Sequence, residues 1–184
     1  MKGVVFTEFM ELVEGNFGMQ VADCVVTKGC PFHQNGFTSV GNYNHEYLIN
    51  MVSHLSKEVN LEANDLVHAF GRHLFASFSR ENPHYTDGVD STFDLLLRVE
   101  RVIHVEVRKL HPDAELPHFK FPPADEGCMN IEYISSRPFA QLCHGLIEAS
   151  IEHFGEDLEI VRTDLEGAPG THALFSLMPT TSYA

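Results

Sequence analysis

The spacing of the apolar residues differs between the first 110 residues and the rest of the chain, and this difference limits the folds that the chain can adopt. Up to Leu110, apolar residues recur at three- and four-residue steps, which is the period of a helix face. From Met129 to Arg137 they alternate, which is the period of a strand, and residues 157–164 and 172–178 alternate in the same way. Between the two patterns, residues 115–127 contain three prolines and are expected to form a crossing loop. Because helices come first and strands later, the sequence predicts the α+β class with an antiparallel sheet.

The boundaries of the predicted elements follow from these patterns and from local end signals. We expect helices over residues 1–15, 19–27, 44–59, 61–78, 91–111 and 138–154, and strands over 129–137, 157–164 and 172–178. Ser91 is a suitable N-cap for the fifth helix, since Asp94 follows three positions later, and Pro112 ends that helix. Its buried face is predicted to include Leu97, His104 and Leu110. Residues 1–184 are expected to form a single domain.

The charge balance excludes two classes of partner. Twelve Lys and Arg residues stand against 26 Asp and Glu residues, which gives a formal net charge of −14. Such a chain repels phosphate backbones and anionic lipid headgroups, so we expect no nucleic acid and no membrane as a partner. Glutamates interrupt the first apolar run, which is therefore not a secretory signal. We expect a cytoplasmic protein with reduced cysteines.

A row of hydrogen-bond donors is predicted on one face of the strand over residues 129–137. Tyr133, Ser135 and Arg137 would project together, spaced by about 6.5–7 Å along the strand. All three can donate hydrogen bonds, and the Arg137 guanidinium suits a carboxylate. The row therefore fits an anionic ligand with two carboxylates. The alternative is a polar outer face in which Arg137 pairs with a surface glutamate.

His104 also allows two interpretations, one structural and one functional. A histidine on an apolar helix face is commonly a core residue whose hydrogen bonds are satisfied. A neutral imidazole in that position can also be an axial ligand of haem iron. Haem b is a flat apolar ring with two propionates at one edge, so a helix histidine and the donor row would together hold both the iron and that edge. The two signals thus support each other.

Taken together, these motifs resemble the haem-nitric oxide/oxygen-binding (H-NOX) family, the bacterial relatives of the haem domain of soluble guanylate cyclase. The resemblance rests on Tyr133-x-Ser135-x-Arg137, on a helix histidine about 30 residues before it, and on the opening Met-Lys-Gly. The resemblance also includes Pro117, which stands thirteen residues after His104. The resemblance extends over essentially the whole chain, and it implies a helical distal subdomain followed by a proximal subdomain with a small antiparallel sheet.

The family pattern implies a role for individual residues. His104 matches the proximal iron ligand, and the Tyr133, Ser135 and Arg137 triad matches the residues that bind the propionates. Two further positions, Pro117 and Val5, match residues that press on the ring. The distal positions above the iron are Phe9, Leu74 and Leu142.

Leu142 departs from the oxygen-binding members, which place a tyrosine five residues after the motif arginine. Oxygen on ferrous haem gains from a hydrogen-bond donor, whereas nitric oxide binds with little help from polar neighbours. The resemblance therefore implies a sensor that binds nitric oxide, and also carbon monoxide, and excludes oxygen. An inward-pointing His73 or Gln141 would weaken this inference. Two alternatives stay open: an oxygen-binding sensor, and a haem-free module for an apolar ligand with carboxylates.

The remaining signals concern catalysis, partners and metals. No nucleophile–base pair stands out, so we expect a sensor rather than an enzyme. The family implies a histidine kinase or a diguanylate cyclase as the effector. Cys24, Cys30 and His33 could bind zinc, but their spacing fits no common structural site.

Overall fold

The computed structural model describes residues 1–32 and 36–180 of the chain. Seven α-helices, one 3₁₀-helix, one π-helical segment and four strands are found in these residues. In chain order they are α1 (Gly3–Phe17), α2 (Met19–Gly29), α3 (His45–Val59), α4 (Ala63–Glu81), a 3₁₀-helix (Pro83–Tyr85), α5 (Thr92–Arg98), a π-helical segment (Val99–Ile103), α6 (His104–Leu110), β1 (His118–Lys120), β2 (Met129–Ile134), α7 (Ala140–Phe154), β3 (Leu158–Asp164) and β4 (His172–Pro179). The predicted α+β class is confirmed.

The first four helices enclose an apolar core. Their amphipathic faces meet because large apolar residues recur at helical spacing on each of them. The largest buried side chains of this helical core are Phe6, Phe9, Val13, Val25, Leu48, Met51, Leu55 and Phe70. No helix among the described residues is both long enough and apolar enough to cross a membrane.

The strands form one antiparallel sheet in the order β1-β2-β4-β3. The register places Ile131 opposite Phe175 and Tyr133 opposite Ala173, so one face of β2 and β4 carries buried apolar side chains. Helix α7 covers this face, and its Ile147 lies in the same core. The opposite face is more polar, as in the hydrogen bond of 2.8 Å from Ser176 Oγ to Asn130 Oδ1. The sheet is therefore buried on one face.

Helices α4 and α7 form the most extensive contact between two described elements. Their backbones approach closely at Gly71 and Gly145. A Cβ atom at Gly71 would collide with the carbonyl oxygen of Leu142, and one at Gly145 with the carbonyl oxygen of His68. Because glycine has no side chain, the two backbones can approach this closely. The contact joins the helical core to the core beneath the sheet.

Four features differ from the sequence-based expectations. The helix predicted over residues 91–111 contains the π-helical segment Val99–Ile103. A π turn takes an extra residue, so the residues after it are rotated relative to the stripe of a regular α-helix. Leu110, expected on the buried face, is 74% exposed at the end of α6. In addition, the proline-rich loop contains the short edge strand β1, and the strand over 129–137 ends at Ile134.

We expect Gly145→Ala to destabilise the fold, because its Cβ would meet backbone that cannot move without separating α4 from α7. Overpacking of this kind lowers the free energy of unfolding by about 1–3 kcal/mol. Gly15→Ala is the matched control, since Gly15 also lies in a helix but has open space around its Cβ position. That variant should be stabilised by about 0.5–1 kcal/mol through the helix preference for alanine. Urea unfolding of both variants checks this, and equal stability of the two would contradict it.

Candidate functional site

His104 begins α6 directly after the π-helical segment. Its backbone N–H donates to the carbonyl of Val99, five residues earlier. Its side chain is only 12% exposed, and Nδ1 lies 3.0 Å from Oε2 of Glu100. Because a carboxylate only accepts hydrogen bonds, Nδ1 is the protonated nitrogen and donates to Glu100. Nε2 then carries the free lone pair.

The surroundings favour the neutral form of this imidazole. Burial lowers the pKa of His104, and the nearby Glu100 carboxylate opposes this shift in part. A neutral imidazole is the form that binds metal ions. The site therefore presents a nitrogen ligand whose other nitrogen is already hydrogen-bonded, which is the usual arrangement of a metal-bound histidine.

Strand β1 brings an aromatic ring against His104. The Phe119 ring stacks on the imidazole with 5.6 Å between centroids and an interplanar angle of 19°. Phe119 lies opposite Tyr133 in the β1–β2 register, and their rings are 6.0 Å apart. The short edge strand, which sequence analysis assigned to a loop, thus connects His104 to the residue that begins the Tyr-Ser-Arg motif.

The structure brings Tyr133, Ser135 and Arg137 together, but through a turn rather than along a strand. Because β2 ends at Ile134, the predicted row on one strand face is wrong. The Tyr133 hydroxyl donates to the Arg137 carbonyl at 3.3 Å, and the Arg137 backbone N–H donates to Ser135 Oγ at 3.0 Å. These hydrogen bonds among the motif residues stabilise the turn that precedes α7.

The Arg137 guanidinium pairs with one carboxylate and keeps a buried nitrogen without a partner among the described residues. Its Nη2 donates to Oε2 of Glu115 at 2.7 Å, so the pairing with a surface glutamate that the sequence left open is present. Glu115 is 70% exposed, whereas the Arg137 side chain is 12% exposed. The Nε atom of Arg137 is buried and lacks a hydrogen-bond partner among the described residues. A buried cationic donor of this kind fits a carboxylate ligand.

The three residues assigned to the distal side lie in the helical core and are apolar. Phe9 on α1, Leu74 on α4 and Leu142 on α7 are all buried. The Phe9 ring contacts Phe70 edge to face at 5.2 Å. Val5 and Pro117 are partly buried, on α1 and before β1 respectively.

Two polar residues lie near these positions in the sequence. Gln141 Oε1 accepts a hydrogen bond of 2.6 Å from Arg162 on β3. His73 Nε2 lies 3.3 Å from Oε2 of the buried Glu8, between α4 and α1. Neither of these two buried atoms makes a hydrogen bond among the described residues, so their contact is one of charge and proximity.

Sequence analysis did not identify Glu100 or Phe119. The position of Glu100, one helical turn before His104, was a usable signal because residues four apart lie on one helix face. Phe119 gave no such signal, since its contact with His104 depends on the pairing of β1 with β2.

The cysteines form no metal site in the part of the chain that the structure describes. Cys30 is buried and its thiol donates to the Tyr47 carbonyl, while the Cys24 thiol faces Glu58. His33, the third residue of the candidate zinc group, lies outside the described residues. No group of three or more His, Cys, Asp or Glu side chains among the described residues is arranged to hold a metal ion.

The sequence profile described as haem-NO-binding matches residues 2–162. The chain belongs to the haem-NO-binding (H-NOX) family. Members of this family are haem-based gas sensors, and H-NOX domains act as sensor modules. None of the curated proteins compared with the chain matches it.

Solved structures show the same fold. The H-NOX protein from Shewanella woodyi, in the Fe(II)CO ligation state, is 35% identical with a TM-score of 0.84, over 100% of this chain and 97% of that one. The Fe(II) unliganded H-NOX protein from K. algicida is 30% identical with a TM-score of 0.90, over 100% and 99%. The S. oneidensis H-NOX protein in the Fe(II)NO state, at 24% identity, covers 98% and 100% with a TM-score of 0.88.

The residues described above fit a haem group. A neutral imidazole with a free Nε2 suits the iron, and the buried, unpartnered Nε of Arg137 suits a propionate. The Tyr133 phenol is also buried, and burial raises its pKa to about 12, so it stays a neutral donor. Homologues in the family bind haem with ferrous iron.

The buried phenol of Tyr133 should titrate well above the usual range of a tyrosine. Burial raises its pKa to about 12, whereas an unfolded tyrosine titrates near 10, so folding keeps this phenol protonated and alkaline pH destabilises the fold. NMR of ring-labelled tyrosine across an alkaline titration checks this. Tyr133→Phe should remove a resonance whose pKa is about 12; if it removes one that titrates near pH 10, the assignment is wrong.

Proposed function

We propose that the chain is a gas sensor that binds nitric oxide at the ferrous iron of haem b and excludes oxygen. The observation that supports this most directly is the apolar character of the distal set Phe9, Leu74 and Leu142, together with a proximal histidine whose Nε2 is free. When bound, the haem supplies the iron that binds the gas. The protein supplies the ligand, the propionate contacts and the walls of the pocket.

On the proximal side, His104 is proposed as the iron ligand through Nε2. Arg137 would pair with a propionate through its buried Nε, with Ser135 as a neutral donor at the same edge. Tyr133 would be a second neutral donor there once its phenol gives up the hydrogen bond of 3.3 Å to the Arg137 carbonyl. The exposed Glu115 is the group that Arg137 would give up or share, because an exposed carboxylate is readily hydrated. Pro117 and Val5 are proposed to pack against the ring.

On the distal side, the chain offers no polar side chain at the three assigned positions. A hydrogen bond to a charge-bearing acceptor is worth roughly 1.5–3 kcal/mol, or about one to two decades of affinity. Oxygen needs this contribution more than nitric oxide or carbon monoxide does. His73 and Gln141 would weaken the proposal if they pointed inward. Gln141 is held by a hydrogen bond from Arg162, and His73 Nε2 lies 3.3 Å from the buried Glu8.

A sensor of this kind acts through another protein. The family resemblance favours a histidine kinase or a diguanylate cyclase as that effector, and we propose residues 1–184 as one haem-binding sensor unit without catalytic activity of its own. A ligand changes an effector only if the two states of the sensor bind that effector differently. The absorption spectrum of the ferrous protein tests the proposal: it should change with nitric oxide and stay unchanged in air.

The assignment of His104 predicts the behaviour of His104→Gly. This variant should lose haem, and added imidazole should restore haem binding because it replaces the missing ligand. Haem content and the ferrous absorption spectrum, with and without imidazole, are the measurements. Full haem content with an unchanged spectrum and no imidazole would contradict His104 as the iron ligand.

The assignment of Leu142 predicts a difference between two matched variants. Leu142→Tyr places a phenol near the iron and should create weak oxygen binding, whereas Leu142→Phe adds the ring without the hydroxyl and should not. Spectra of both ferrous variants in air and under nitrogen check this. If the unmutated protein or Leu142→Phe responds to oxygen, the pocket contains a donor other than residue 142.

A further inference from the structure

We propose that Glu100 is a positioning residue that holds the His104 ring in one orientation and strengthens its bond to the iron. This inference rests on the proposed function, because it takes His104 as the iron ligand. It concerns a residue that would act through the iron ligand, and it follows from the contacts around one carboxylate.

The two oxygens of Glu100 have different partners. Oε2 accepts from His104 Nδ1 at 3.0 Å, while Oε1 lies 3.8 Å from Arg108 Nη2 and 3.7 Å from His118 Nδ1. The Glu100 side chain is only 19% exposed, so water competes weakly for the hydrogen bond to His104. The Arg108 guanidinium lies beside the other oxygen of the carboxylate and competes with His104 for its negative charge.

Backbone and aromatic contacts fix the geometry of this pair. Glu100 lies within the π-helical segment and His104 follows its last residue, so both belong to one continuous turn of backbone. Phe119 stacks on the flat face of the imidazole while Glu100 binds its edge. A ring held at its face and at one edge has a single orientation, and Nε2 is then directed away from Glu100.

The hydrogen bond also changes the ligand chemically. A carboxylate that accepts from Nδ1–H draws this proton toward itself and makes Nε2 more basic. A more basic nitrogen donates more electron density to iron, which strengthens the iron–histidine bond and favours ferric over ferrous iron. In this chain, Glu100 would therefore oppose the release of His104 when a gas binds on the other side.

The test compares Glu100→Gln with Glu106→Gln in the haem-loaded protein. Glutamine keeps the size of the side chain but accepts hydrogen bonds more weakly than a carboxylate does. Glu106 is the matched control, because it is an exposed glutamate on α6, the helix that begins at His104. We expect Glu100→Gln to lower the iron–histidine stretching frequency in resonance Raman spectra of the ferrous protein and to raise the reduction potential. Glu106→Gln should leave both unchanged. An unchanged frequency and potential in Glu100→Gln would overturn the inference.

A second variant keeps the inference testable if Glu100→Gln folds poorly. Arg108→Gln removes the cation beside Oε1 without touching His104, and it should shift the frequency upward because the carboxylate then accepts more strongly. A downward shift or none would overturn the inference. A wild-type protein that lacks any iron–histidine band would overturn the proposed function as well, whereas a band that neither variant moves would overturn the role of Glu100 alone.

Discussion

The packing of α4 on α7 is the constraint on which the rest of the structure depends. Gly71 and Gly145 let the two backbones touch, so Leu74 on one helix and Leu142 on the other enter the same core. A different face of α7 carries Cys143 and Ile147, which lie in the core beneath the sheet. One helix therefore lines the proposed gas pocket with one face and carries the sheet with the other.

The two sides of the proposed haem site are built by different physical means. The distal side consists of buried apolar side chains whose positions follow from helix packing, and the proposed selectivity rests on the absence of a donor at these positions. The proximal side consists of hydrogen bonds with defined donors and acceptors, from Glu100 through His104 and from Ser135 through Arg137. Packing tolerates exchange among apolar residues of similar volume, whereas each hydrogen bond requires its own pair of atoms.

Sequence patterns predicted most of the fold and only part of the site. The boundaries of the main helices and strands agree with the predictions to within three residues, because apolar periodicity and signals such as Ser91 and Pro112 are local. The π-helical segment and β1 were not predicted. A π turn differs from an α-turn by one residue, and a three-residue edge strand exists only because β2 lies beside it. The same limit applies to the turn of Ser135 and Arg137, since the Ser135 backbone N–H also donates to the distant Thr171 carbonyl at 2.9 Å.

The shortness of β1 has a consequence for how the proximal side moves. Three residues of edge strand form few ladder hydrogen bonds, so this segment belongs to the part of the sheet that opens with the least free energy. Glu115, Pro117 and Phe119 all lie in or just before it. When β1 separates from β2, three groups leave the proximal side together. They are Glu115, which is the partner of Arg137, Pro117, which is the proposed ring contact, and Phe119, whose ring stacks on His104. This segment then behaves as one cooperative unit, and the lifetime of its closed form limits how long the proximal side keeps a single shape.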